Sequence, residues 1–470
     1  MPADRQPYHR ASSRLGAAAL DRSLSLDGNV PLTFSRQQSK LQRIPSTRGE
    51  TEASQLADEA IAWCKSTPVL AEVLGNGPVT AEPLSGGLCN DVWRIQGRSG
   101  QILVKRAQGF VRAAESVPLA IERQATEAAG LELGYACAPD TFPRVFAHDS
   151  SKHFLATEFL EGRRSLSEAL QSGDVFPQMG RQVGSGLGRF AAATSPLTLG
   201  PETTKTLSAK LEASKTAALA MEEHVFYLPF DPAAPQNDWP DAIDDDVTRL
   251  VYKDAKLMAE LEAMRLIYKK VGSNTCLVHH DVWSGNILCT PTTCHIIDCE
   301  FGGWGPAAYD IGHAIAHFAL CATVVRAYAD IEARTDGKYD DVISPERRLE
   351  QQEWLLDSIS EAYDAFTASL AEASVNGLPT VFLEDVLGIT GIVMLRWTLG
   401  QFNLPENLGV ERNSEEFVDA TRRAVQVGAA VLRGRRSIKS VKFVAELLHD
   451  ALDACPSKAK AGSSWWCFCS

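Results

Sequence analysis

The feature that most constrains this chain is an eleven-residue run, Val278-His279-His280-Asp281-Val282-Trp283-Ser284-Gly285-Asn286-Ile287-Leu288. Its polar side chains stand between two apolar, strand-like fragments, Cys276-Leu277-Val278 and Ile287-Leu288. Twelve residues past Asn286 comes Asp298, in Ile296-Ile297-Asp298-Cys299-Glu300-Phe301. Two acids at the ends of adjacent strands, with an Asn between them, make an oxygen-rich pocket. Mg²⁺ suits such a pocket, because it takes carboxylate and amide oxygens and leaves positions for phosphates. The plain alternative is a loop of caps and turns beside an ordinary β-hairpin.

The spacing His-x-Asp-x-x-x-x-Asn, then an apolar strand and Asp, is the layout of a phosphoryl-transfer catalytic loop. In that layout Asp281 accepts the proton of the attacking hydroxyl. Asn286 and Asp298, with Glu300 close by, hold Mg²⁺, and His279 braces the loop. A glycine-containing turn lies far upstream, in Pro83-Leu84-Ser85-Gly86-Gly87-Leu88-Cys89-Asn90. Ser85, Gly86, Gly87 and Asn90 would bring backbone N–H groups to phosphates. Lys105 ends the strand Ile102-Leu103-Val104-Lys105 and would pair with the same phosphates. Glu127, on the helix that follows, would hold Lys105 by an ion pair, with Glu122 as its competitor. Alone, each is a solvated lysine or glutamate. Thr157-Glu158-Phe159-Leu160-Glu161-Gly162 falls where a hinge belongs, with backbone groups of Glu158 and Leu160 facing the adenine.

Periodicity divides the chain into four parts. Residues 1–50 carry eight Lys or Arg against four acids, and much Ser, without sustained periodicity. They read as a disordered tail, or as a transit peptide that Asp4, Asp21 and Asp27 argue against. Residues 51–160 read as an amphipathic helix, Thr51–Leu74, followed by a β-rich lobe. That lobe holds a hairpin, Val92–Ile95 and Ile102–Lys105, a helix from Val117 to Gly134, and strands near Arg144–Ala147 and Phe154–Thr157. Residues 161–455 are mainly helical, with long patterns over Asp310–Glu332, Pro345–Glu372 and Phe382–Gln401. Residues 456–470 form a tail. The expected fold class is α+β: a bilobal, protein-kinase-like arrangement of a small β-rich lobe and a larger helical one.

The net charge of −13 argues against a dedicated nucleic-acid binder. The longest apolar run, Ile311 to Val325, is too short to span a bilayer, which needs about 20 residues. No secretory layout opens the chain, so a cytoplasmic location is expected. The 11 cysteines form no C-x-x-C pair and no His pair completes a zinc pattern, so buried reduced thiols are expected. The terminal Cys467-Phe468-Cys469-Ser470 fits a C-a-a-X prenylation pattern at Cys467, against a frayed tail.

These motifs are recognisable together. Leu84–Asn90, Lys105, Ile121–Leu131, Leu277–Leu288, and Ile297-Asp298-Cys299-Glu300-Phe301 through Gly305-Pro306 to Tyr309-Asp310-Ile311-Gly312 resemble the aminoglycoside phosphotransferase and choline-kinase superfamily. Within it, the 5-methylthioribose kinase group is the most similar. The run from Glu222 through Pro229-Phe230 to Tyr268 looks like that group's insert. The resemblance covers residues 75 to 435. It implies ATP in a cleft, Mg²⁺ on Asn286 and Asp298, Asp310 as the acid that braces the catalytic loop, a small-molecule alcohol as substrate, and a homodimer. The rival role for Asp310 is an N-cap of the helix it opens, and the two roles are compatible.

Three departures stand out. His280 replaces the family's usual Gly before the Asp, and Trp283 replaces a frequent His. Arg396-Trp397 stands where methylthioribose kinases carry an Arg pair that grips the sugar. The loop Asp281–Asn286 also looks similar to that of a fungal hydroxytryptamine kinase. These departures point toward an aromatic acceptor or another that is not methylthioribose, while the family resemblance gives methylthioribose kinase-like phosphorylation as the expected activity. The alternatives are a kinase of another alcohol (choline, ethanolamine, hydroxytryptamine or aminoglycoside-like) or a binding module without turnover.

Overall fold

The computed structural model describes residues 50–84, 89–111, 114–270, 272, 274–335, 343–373, 381–400 and 402–453. Ser85, Gly86 and Gly87, Cys467 and residues 1–49 lie outside them. The N-terminal portion opens with two helices, α1 (Glu50–Ser66) and α2 (Pro68–Leu74). The sequence pattern predicted one helix. It is split because Thr67 takes an extended backbone ahead of Pro68, which disfavours helical geometry in the residue before it.

Seven strands follow: β1 (Thr80–Pro83), β2 (Asn90–Gln96), β3 (Gln101–Ala107), β4 (Phe110–Val111), β5 (Ala114–Pro118), β6 (Val145–Asp149) and β7 (Phe154–Glu158). Five of them form an antiparallel sheet in the order β1-β2-β3-β7-β6. The predicted hairpin is present with Val92 opposite Lys105 and Trp93 opposite Val104. Alternation along β2 and β3 buries Trp93, Ile95, Ile102 and Val104 on one face. Leu56, Trp63, Leu70 and Leu74 of α1 and α2 cover that face, and Trp63 stacks on Phe154 at 5.1 Å. The leading helices thus complete this small core.

Helix α3 (Arg123–Cys137) starts six residues later than the periodicity suggested, because Ala114–Pro118 is taken up in a short hairpin with Phe110–Val111. It packs on the C-terminal body, whose core includes its Ala129 and Leu131. Gly130 permits this approach: a Cβ there would lie 2.6 Å from the Cys299 sulfur.

The C-terminal portion is helical except for β8 (Arg164–Ser165), β9 (Thr275–Val278), β10 (Ile287–Cys289), β11 (Cys294–Ile296) and β12 (Gly303–Pro306). The three long predicted helices are Ala308–Thr335, Pro345–Glu372 and Leu383–Leu399. By length and composition the first could cross a membrane, but Ile311, Ile315, Phe318 and Val325 on it are fully buried in the core. The hairpin β10–β11 also revises the cysteine reading. Its register sets Cys289 opposite Cys294 with Cα atoms 4.2 Å apart, and the two are joined as a disulfide. The spacing of Cys289 and Cys294 in the sequence does not by itself reveal that the two face each other. The other described cysteines are free thiols.

Candidate active site

The β10–β11 hairpin explains why Asn286 and Asp298 come together. Ile287 pairs with Ile296, so the next residues outward, Asn286 and Ile297, also oppose each other. The Ile297 N–H donates to the Asn286 carbonyl at 3.0 Å. Asp298 follows at once, with φ +72°, a left-handed backbone that costs a non-glycine residue free energy. Such outliers persist where the surroundings over-determine them.

Lys105 reaches this point from β3. Its Nζ donates to Glu127 Oε1 at 2.6 Å and, more closely still, to Asp298 Oδ1. The choice between Glu122 and Glu127 is thereby decided. Glu127 is 1% exposed and faces the lysine, while Glu122 sits exposed at the head of α3. Burial alone would raise Asp298, but the Lys105 ammonium holds its carboxyl below the usual range. Burial likewise works against the Lys105 charge, and Asp298 and Glu127 more than restore it.

Arg123, four residues before Glu127 and on the same helix face, was not singled out in the sequence. It is fully buried. Its Nε donates to Glu300 Oε2 at 2.9 Å, and its two terminal nitrogens to the carbonyls of Gln108, Ala120 and Cys89 and to Asn90 Oδ1. Asn90 Nδ2 in turn donates to Glu300 Oε2 at 2.9 Å. The Asn90 side chain therefore ties the start of β2 to Glu300. Carboxylate oxygens of Glu127, Asp298 and Glu300 lie within 4.8 Å of one another. Lys105 occupies Glu127, so the hard oxygen donors left to fit a divalent cation such as Mg²⁺ are those of Asp298 and Glu300.

The catalytic-loop candidates hang from two supports. Asp310 accepts the backbone N–H of His279 at 2.7 Å and of His280 at 3.1 Å. It lies in the first turn of Ala308–Thr335 rather than at its cap, so its carboxylate serves the loop. Burial raises it to about 7, against those two N–H bonds. His279 is bonded through Nε2 to the Ile297 carbonyl and accepts the Asp281 N–H on Nδ1. His280 has φ +67°, which rationalises glycine as the simpler choice there. It is held by Phe301 O on Nδ1 and the Tyr268 hydroxyl on Nε2, both at 2.9 Å. Burial drives both imidazoles to about 4, so they are neutral at pH 7. Asp281 accepts from Asn286 Nδ2 at 3.2 Å. Burial raises its carboxyl to about 7, Arg396 opposes that, and Asp298 and Glu300 add to it.

Arg396 and Trp397 lie on Leu383–Leu399. Trp397 stacks on Trp283 of the loop at 5.5 Å, and His317 meets the Trp397 ring edge-on at 4.7 Å. His313 stacks on His317 in turn. Among the described residues, Arg396 Nη1, Trp397 Nε1 and both nitrogens of His313 and His317 are buried with no hydrogen-bond partner. Buried polar atoms rarely go unpaired, so this cluster stores capacity for a polar ligand. Trp283 is seated on Gly285, where a Cβ would come 2.2 Å from the indole. Gly285→Ala is thus expected to displace Trp283 and raise KM for the alcohol about tenfold, leaving KM for the nucleotide unchanged. Steady-state kinetics with each substrate varied in turn checks this.

At the hinge, the Glu158 N–H donates to the Arg144 carbonyl at 2.8 Å. Among the described residues the Leu160 N–H makes no backbone bond.

A buried lysine held between two acids, together with an Asp-Asn pair on a braced loop, is an arrangement that fits phosphoryl transfer. Residues 80–344 match the APH phosphotransferase enzyme family, and the chain belongs to it. It is a small-molecule kinase. Methylthioribose kinases of Exiguobacterium sibiricum and Escherichia coli are each 27% identical to it, covering 78% and 76% of this chain and 91% and 88% of theirs. Methylthioribose kinase 1 of Oryza sativa subsp. japonica is 25% identical over 82% of this chain and 93% of its own.

Proposed function

We propose that the chain transfers the γ-phosphoryl group of ATP to a hydroxyl of methylthioribose or a sugar alcohol of similar size. The observation that carries this reading is the Lys105–Glu127–Asp298 arrangement facing Asp281 and Asn286. Lys105 pairs with the α/β-phosphates, and the adenine edge meets the Glu158 carbonyl and the Leu160 N–H. Asn286 spends its amide nitrogen on Asp281, leaving Oδ1 for Mg²⁺ beside Asp298 and the second oxygen of Glu300. The ion supplies neutralisation of phosphate charge. The acceptor hydroxyl gives its proton to Asp281 as its oxygen bonds the γ-phosphorus, and ADP departs with the electrons of the β–γ bridge. Arg396, beside Asp281, orients the acceptor.

The curated relatives favour the sugar. The Trp283–Trp397 stack favours a second reading, an aromatic alcohol held against the indoles. An ATP-consumption screen separates them, using methylthioribose, hydroxytryptamines, choline, ethanolamine, homoserine and aminoglycosides, with Asp281→Ala as the blank. Turnover of methylthioribose supports the first reading, and turnover of hydroxytryptamine alone the second. Silence on the whole panel would leave a binding module and overturn both.

A further inference from the structure

A cleft of about 730 Å³ lies away from Asp281, between the head of α3, the β6–β7 turn and the Pro201–Ala213 helix. That volume is in the range of small-metabolite sites. One wall carries Lys205 and Lys210, exposed on the helix, and neither makes an ion pair among the described residues. The other wall carries His148 and His153. Glu122 and Glu202 stand at the rim and bias an anion toward the two lysines.

Gln124 also lines the cleft, and it is the informative residue. It is 3% exposed. Its Nε2 donates to the Lys105 carbonyl at 3.3 Å, which fixes the amide with Oε1 as the remaining acceptor. That oxygen is buried and has no partner among the described residues. A buried unpaired acceptor in a cleft rimmed by ammonium groups calls for a ligand with both a donor and a negative charge.

We propose that this cleft is a second ligand site, binding a small hydroxylated anion (a phosphate ester or a carboxylate). Its charge lies between Lys205 and Lys210, and a hydroxyl donates to Gln124 Oε1. The site communicates with the nucleotide lysine. Gln124 holds the Lys105 main chain, and Glu127, one turn on, holds its ammonium. Thr126 and Ser214 are hydrogen-bonded at 2.6 Å, tying α3 to the end of the helix that bears the two lysines. Occupancy therefore acts on KM for ATP and leaves kcat little changed.

The test is calorimetry on the full chain with the nucleotide site saturated by ADP. The probes are ribose 5-phosphate, gluconate and uncharged ribose. Wild type is expected to bind at least one charged probe at millimolar concentration, and ribose far more weakly. Which charged probe binds identifies the source of the anion. Lys205→Ala/Lys210→Ala alters only exposed side chains, so its basal activity is unchanged, and its affinity is expected to drop about tenfold or more. The effective probe is expected to shift KM for ATP in wild type and not in Gln124→Met. Equal binding by wild type and the double variant overturns the proposal, as does binding of ribose as tight as the charged probes. Failure of all probes to bind overturns it as well, whatever the substrate screen shows.

Discussion

Asp281→Asn is expected to lower kcat by about 10²–10⁴-fold, the usual contribution of a positioned general base. The change keeps the volume and a hydrogen-bonding partner for Asn286, so nucleotide affinity should hold within about twofold. Turnover by quenched assay and binding of a non-hydrolysable nucleotide by calorimetry measure the two effects separately. Undiminished turnover would remove Asp281 from the proposed role. A pH profile goes further. The base works only when ionised, and burial has raised this carboxyl to about 7. In wild type kcat/KM should therefore fall as pH drops through about 7, and flatten above it. A profile flat down to the ordinary carboxylate range would contradict a buried base.

Arg123→Met has the largest expected effect on stability. Among the described residues Arg123 supplies the guanidinium on Glu300, and it bonds the main chain on both sides of the nucleotide strands. Removing one partner of a buried ion pair typically costs about 3–5 kcal/mol, because the other charge stays buried without compensation. Urea denaturation should show that loss. Arg123→Met/Glu300→Gln should recover part of it, since no uncompensated carboxylate remains. A single variant losing under about 1 kcal/mol would mean that Glu300 finds other compensation.

Local chemistry was legible in the sequence. The hairpin strands and the Asp281–Asn286 loop follow from short-range pattern and spacing, Lys105 from its order after the glycine turn, and the brace from Asp310 from the family resemblance. Partners distant in the chain were less so. Glu127 was the expected partner of Lys105, with Glu122 as its competitor until the helix face was known. Arg123 was not singled out, although its spacing of four from Glu127 puts both on one face. Its acidic partner lies 177 residues away, and no local pattern records that. The Cys289–Cys294 pairing depended on strand register. His313 and His317 share one helix face at the same spacing, yet only the fold brings Trp283 and Trp397 to them.

The two bridges from β3 and α3 to Asp298 and Glu300 bear on how this architecture can diversify. Each joins a base in the first third of the chain to an acid in the second, so neither part is electrically complete alone. Exchanging the sheet portion for that of a distant relative would transplant one half of two salt links. A viable chimera must carry Lys105, Glu127 and Arg123 as a set matched to Asp298 and Glu300. The Trp397 wall lies outside those links. New acceptor alcohols can thus be explored by substitution there, while the phosphate-handling parts are inherited as a block.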